Sequence, residues 1–130
     1  MTLFVDASAL VAMIEDEPER HRFEAELEGD PHRLISGLAT WEAARAVGRG
    51  GRIGEGLLEV TRYCVDLGIR LVPIGEDEAR EAVLAHARYG KGTGHPARLN
   101  MGDCFAYACA KTHGARLLYK GDDFTHTDMA

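Results

Sequence analysis

The chain has 130 residues and a mass of 14.2 kDa, with 45% hydrophobic and 28% charged residues, which describes one globular domain long enough to bury a core and too short for a two-domain enzyme. Lys and Arg number 15 against 21 Asp and Glu, a formal net charge of −6, so bulk charge draws the protein neither to nucleic acid nor to an anionic membrane, and any phosphate binding must be local. No apolar run is long enough for a bilayer span and no leader pattern follows Met1, which predicts a cytoplasmic protein with no membrane role, while Cys64, Cys104 and Cys109 show no C-x-x-C spacing and read as packing residues rather than disulfide or zinc ligands.

Short apolar runs alternate with longer helical patterns along the chain, which predicts an α/β fold with a mainly parallel sheet. Residues 3–5 form the first strand candidate and end at Asp6, with helices expected at 7–15 and 18–28. On the second of these, Phe23 and Leu27 stand four apart and read as core. A strand at 33–35 leads into a helix at 38–48, and the glycine- and arginine-rich run 48–52 interrupts it as a loop. The stripe Leu57, Val60, Cys64 and Leu67 marks a helix over 56–67, and a strand follows at 70–74. A helix at 76–89 carries a weaker stripe of Ala79, Ala82, Val83 and His86, and ends at a second glycine-rich basic loop, 90–96. The clearest helix is 101–113, where Met101, Cys104, Phe105, Ala108 and Cys109 fall on one apolar face, and 116–119 is the last strand candidate. No repeat or linker divides the chain.

Acidic residues recur where strands end or the following helices open: Asp6 after the first strand, Glu42 past the second, Asp103 at the start of helix 101–113, and Asp122-Asp123 after the last strand. Each alone has a structural explanation. Asp6 suits an N-cap, Asn100 and Asp103 suit a variant capping box, Glu42 suits a helix dipole, and Gly121-Asp122-Asp123 suits a turn. Together they fall where open parallel sheets bind ligands, beyond the carboxyl ends of the strands. Converging carboxylates repel one another unless a cation lies between them, and an all-oxygen set selects Mg²⁺ or Mn²⁺ over zinc. Such an ion assists hydrolysis of a phosphodiester, with basic loops holding the flanking phosphates.

The chain resembles PIN-domain ribonucleases, specifically the VapC-type toxins of bacterial toxin–antitoxin pairs. The resemblance rests on residues 4–10 (FVDASAL), on Trp41-Glu42, on residues 99–108 (LNMGDCFAYA), and on residues 117–124 (LLYKGDDF) followed by Thr127-Asp128. It implies a single PIN domain over residues 1–130, a three-layer fold with a central sheet flanked by helices, and metal-dependent endonucleolytic cleavage of RNA by an activated water. Asp6 and Asp103 match the principal metal ligands, Glu42 the third carboxylate, and the Asp122-Asp123 pair the fourth. Asp122 is preferred because it follows Gly121 directly, with Asp123 as a cap for the turn around Phe124. Ser8 matches a small hydroxyl position that supports the site. A homodimer and inhibition by a VapB-like antitoxin are further implications. The end of the chain soon after Asp128 predicts that a last edge strand is short or absent.

Lys91, His95 and Arg98 precede the Asp103 helix, where they either steer RNA phosphates or remain solvated. Arg45, Arg49 and Arg52 track RNA, pair with an acidic antitoxin segment, or are simply exposed. The run 90–93 lacks the residues of a phosphate-binding P-loop, and the six histidines show no ligand spacing. Trp41 reads as a core or subunit-interface anchor. Two alternatives stand beside the nuclease: a catalytically silent PIN-like binding module, and a phosphatase forming an aspartyl phosphate on Asp6, for which Ser8 stands where a second Asp is expected.

Overall fold

Short strands alternate with longer helices in the computed structural model, which describes residues 1–130. In chain order the elements are β1 (Thr2–Val5), α1 (Ala7–Ile14), α2 (Arg20–Gly29), β2 (His32–Ser36), α3 (Gly37–Val47), α4 (Ile53–Asp66), β3 (Ile69–Val72), α5 (Glu76–Tyr89), α6 (Met101–Thr112) and β4 (Arg116–Leu118). The strands form one sheet in the order β3-β2-β1-β4, every neighbouring pair parallel. Residues 119–130 run on as turns without a further strand.

Central β1 is paired on both edges, Phe4 facing Leu34 on one side and Leu117 on the other. Leu3, Phe4 and Val5 are fully buried, which explains their unbroken apolar run: a parallel strand covered on both faces has no solvent side to alternate toward. Right-handed crossovers place α1 to α4 on one face of the sheet. The β3-to-β4 connection crosses in the opposite direction, so it places α5 and α6 on the other face. That reversal leaves a switch point between β1 and β4, where a crevice opens at the carboxyl ends of the strands. The Asp6 backbone N–H donates to the Leu118 carbonyl at 2.9 Å, fixing the two strand ends side by side. At the other end of β4, Arg116 pairs with buried Asp30 at 2.7 Å.

Phe23 and Leu27 are buried as expected, but four apolar residues assigned to core stripes are exposed: Leu57, Ala79, Val83 and Met101. On α5 the buried face is Ala82, Ala85 and Tyr89, one step round the helix from the expected stripe. Alanines let α5 sit close to α6, where Ala82 and Val83 share a groove with Met101, Cys104 and Phe105, and the bulkier Val83 is left exposed. Helix α4 begins at Ile53, three residues earlier than expected, and includes Gly54 and Gly56. Gly56 is buried against α3, where a Cβ would strike the Ala44 carbonyl and the Gly48 backbone. This close crossing turns α4 so that Val60 faces inward and Leu57 joins Ile53 and Trp41 on the surface. Trp41 is therefore not a core residue. At 54% exposure it carries the Arg45 guanidinium 5.0 Å from its ring centroid.

Candidate active site

Asp6 ends β1 and caps α1, its Oδ2 accepting from the Ser8 N–H at 3.0 Å and from the Ser8 hydroxyl at 2.5 Å. Ser8 Oγ also accepts from the Lys120 N–H at 3.0 Å, so one hydroxyl ties Asp6 to the segment leaving β4. Asp103 forms the expected capping box with Asn100: its N–H donates to Asn100 Oδ1 at 2.8 Å, and its Oδ2 accepts from the Asn100 N–H at 3.1 Å. Both acids thus fill the structural roles open to them and are held by those same bonds. Capping orients each carboxylate at the sheet's carboxyl edge without neutralising it.

Glu42 reaches this edge from α3 and lies against the first turn of α6. A Cβ on Gly102 would collide with the Glu42 carboxyl group, so the missing side chain makes the approach possible. Nothing in the spacing of the chain assigns this role to Gly102. A glycine in the first turn of the most regular helix, where alanine is the better helix former, is the only signal.

The carboxyl groups act on one another. Burial pushes Asp103 up to about 7, opposed by the Asn100 N–H, with the charges of Asp123, Asp6 and Glu42 adding to the rise. Asp6 is raised by burial, against the hydrogen bonds from Ser8, and further by Asp123. Glu42 is raised by burial and then by Asp6. The tail acid acting on both Asp6 and Asp103 is Asp123. The Asp122 carbonyl accepts from Thr125 N–H and Oγ1, at 3.1 and 2.7 Å, which closes the turn around Phe124.

Both tail acids line a cleft of about 380 Å³ with Lys91, Arg98, Asn100, Asp103 and His126. Lys91 and Arg98 thus line the same cleft as Asp103 and the tail acids. His95 does not line it: its Nδ1 accepts from the Ala97 N–H at 3.1 Å and its ring meets Tyr89 edge-on at 4.9 Å. The 90–99 loop is pinned rather than loose, with Leu99 N–H donating to the Tyr89 carbonyl and Lys91 N–H to the Leu99 carbonyl. Among the α3–α4 arginines, Arg49 is paired with Glu15 at 2.8 Å.

No three His, Cys, Asp or Glu side chains are gathered tightly enough to form a metal cage. The donor set nevertheless fits a hard divalent ion. It is all carboxylate, Asp103 opens to the cleft beside the two tail acids, and Mg²⁺ keeps most of its waters while taking one or two carboxylates.

A crevice at the switch point of a parallel sheet, with Asp6, Glu42 and Asp103 at the carboxyl edge and two further acids in the segment after β4, defines an acidic α/β site. The sequence matches the family described as PIN domain over residues 3–129, and the chain belongs to that family. Within it, the chain is 45% identical over 129 residues to a protein named ribonuclease VapC30 from Mycobacterium tuberculosis, covering 98% of this chain and 96% of that one. Among solved structures, VapC20 of Mycobacterium tuberculosis, described as a sarcin-ricin loop cleaving toxin, superposes with a TM-score of 0.70 at 13% identity, covering 95% of this chain and 93% of that one. A toxin–antitoxin complex from Klebsiella pneumoniae superposes with a TM-score of 0.69 at 20% identity, covering 99% and 94%.

Proposed function

We propose that the protein is an endoribonuclease, the toxin of a VapBC-type pair, that hydrolyses RNA with the help of Mg²⁺ or Mn²⁺ at the Asp6, Glu42, Asp103 and Asp123 cluster. The observation that carries this reading is the placement of Asp6, Glu42 and Asp103 at one carboxyl edge of the sheet, with Glu42 admitted against the first turn of α6 by Gly102, beside a cleft that Asp103 shares with Lys91 and Arg98. High identity to a protein named as a ribonuclease supports it. Asp123 replaces Asp122 as the fourth acid in this assignment, because its charge reaches Asp6 and Asp103.

Asp6 and Asp103 would hold the divalent ion, which when bound would supply charge for the phosphate oxygens and lower the pKa of water. Glu42, half-buried and unpaired, is placed to take the proton from the attacking water at its carboxylate. Lys91 and Arg98 hold the flanking phosphates and fix the strand across the cleft. Ser8 keeps the Asp6 carboxylate in one orientation. The partners proposed are RNA, a VapB-like antitoxin and a second copy of the chain. Exposed Trp41, Ile53 and Leu57 on one side, and Val83, Leu84 and Met101 on another, supply apolar surface of the kind protein partners cover. No helix is long and apolar enough to cross a membrane, which accords with a cytoplasmic site of action on cellular RNA.

The chemistry of the product ends tests the mechanism. Attack by water leaves a hydroxyl on one fragment and a phosphomonoester on the other, and an RNA carrying a 2′-deoxy sugar at the cut position is still cleaved. A 2′,3′-cyclic phosphate, or resistance of the deoxy substrate, would show the ribose hydroxyl to be the nucleophile and remove Glu42 from the assigned role.

A further inference from the structure

The two walls of the cleft come from separate parts of the chain, the basic loop 91–98 and the acidic tail 119–128, and both meet one side-chain cluster behind them. Tyr107 of α6 donates its hydroxyl to Asp128 Oδ1 at 2.6 Å, and Tyr89, the last residue of α5, donates to the same oxygen at 3.3 Å. The Asp128 N–H approaches the Tyr89 hydroxyl at 3.4 Å, and Lys111 Nζ lies 3.4 Å from Asp128 Oδ2. The two tyrosines pack edge-to-face at 5.7 Å and are each 3% exposed. On its other side Tyr89 holds the loop, through the His95 ring and through its carbonyl to Leu99. The catalytic reading above makes no use of this cluster, although buried tyrosine hydroxyls sharing one carboxylate restrict the backbone on either side of it.

We propose that Asp128, Tyr107 and Tyr89 form a clamp that positions the catalytic cleft: Asp128 and Tyr107 fix the tail that presents Asp123, and Tyr89 links that tail to the loop that presents Lys91 and Arg98. None of the three lines the cleft, so they are positioning residues. The inference rests on the assignment of Asp123 to the metal-binding cluster. A tail released from Tyr107 keeps its acid but not its place, and partners that orient metal ligands typically change metal affinity about 10- to 100-fold when removed.

The test uses the full-length protein without RNA, with Mn²⁺ affinity read from the electron paramagnetic resonance of the free ion. Asp128→Ala and Tyr107→Phe are expected to weaken Mn²⁺ binding about tenfold. Asp128→Asn, whose amide oxygen still accepts from Tyr107, restores most of it. His95→Ala is expected to raise KM for RNA several-fold while leaving Mn²⁺ affinity and kcat near the parent values, a split that general destabilisation does not produce. If Asp128→Ala fails to fold, Tyr107→Phe carries the test, since it deletes one oxygen from a retained ring. Unchanged Mn²⁺ affinity in folded Tyr107→Phe would overturn the clamp. Asp123→Asn separates the two levels of the argument. Should it bind Mn²⁺ as the parent does, the assignment of Asp123 falls and the clamp with it. Should it lose affinity while Tyr107→Phe does not, only the clamp falls.

Discussion

Gly102 and Glu42 are a pair in which one residue's missing side chain makes room for the other's carboxyl group. Gly102→Ala is predicted to displace Glu42 and lower activity by at least about tenfold, the usual scale for loss of a positioned proton acceptor. Thermal stability should move by less than about 1 kcal/mol, because alanine favours the helix and the far end of Glu42 yields. Measuring kcat together with the unfolding midpoint distinguishes this from a packing defect, in which both would fall. At this scale much was legible. Asp6 and Asp103 stand out in the sequence because capping and ligation demand the same residue at the same place, and the structure shows the caps formed. Gly102 was not legible, since its partner is 60 positions away on another helix. The choice between Asp122 and Asp123 was also closed to spacing, because adjacent residues in a turn point in different directions.

Elements were easier to place than to orient. The four strands and six helices fall where apolar period and glycine punctuation put them, because burial on both sides of the sheet demands unbroken apolar runs. The rotation of α4 and α5 was another matter. Each carries more apolar residues than one face accommodates, and close backbone approach decides which face turns inward, through Gly56 against α3 and through Ala82 and Ala85 against α6. Gly56→Ala is accordingly predicted to destabilise the protein by about 1–3 kcal/mol, the range for overpacking a tight contact, despite the gain in helix propensity. Urea unfolding checks the sign. A stabilised variant would show that the α3–α4 crossing is looser than its geometry indicates.

Across the whole molecule, a buried acidic cluster sets how stability depends on pH. Asp103 in the folded protein holds its proton up to about 7, against an ordinary value of 3.8. Between those values the folded state binds a proton that the unfolded chain has released, so stability of the metal-free protein is highest below the lower value and is lost as pH rises through the upper one. Asp103→Asn removes that loss and is predicted to stabilise the metal-free protein by about 1–2 kcal/mol at pH 8. Thermal melts from pH 5 to 8 give the comparison. A parent protein whose stability rises over that range relative to the variant would contradict the clustering of the acids. Added Mn²⁺ should reverse the order at pH 8 by stabilising the parent alone, since a ligand that binds only the folded state raises its stability.

The central claim is that these carboxylates hold a divalent ion to cut RNA, and the most direct measurement is cleavage of a labelled pool of cellular RNA by the purified, antitoxin-free protein. Reactions with Mg²⁺, with Mn²⁺ and with excess chelator would be run beside Asp103→Asn. Discrete cuts that need the metal and vanish in the folded variant are the predicted result. Cuts that persist in excess chelator or in Asp103→Asn would contradict the account, as would a folded parent protein that leaves every RNA in the pool intact with either metal.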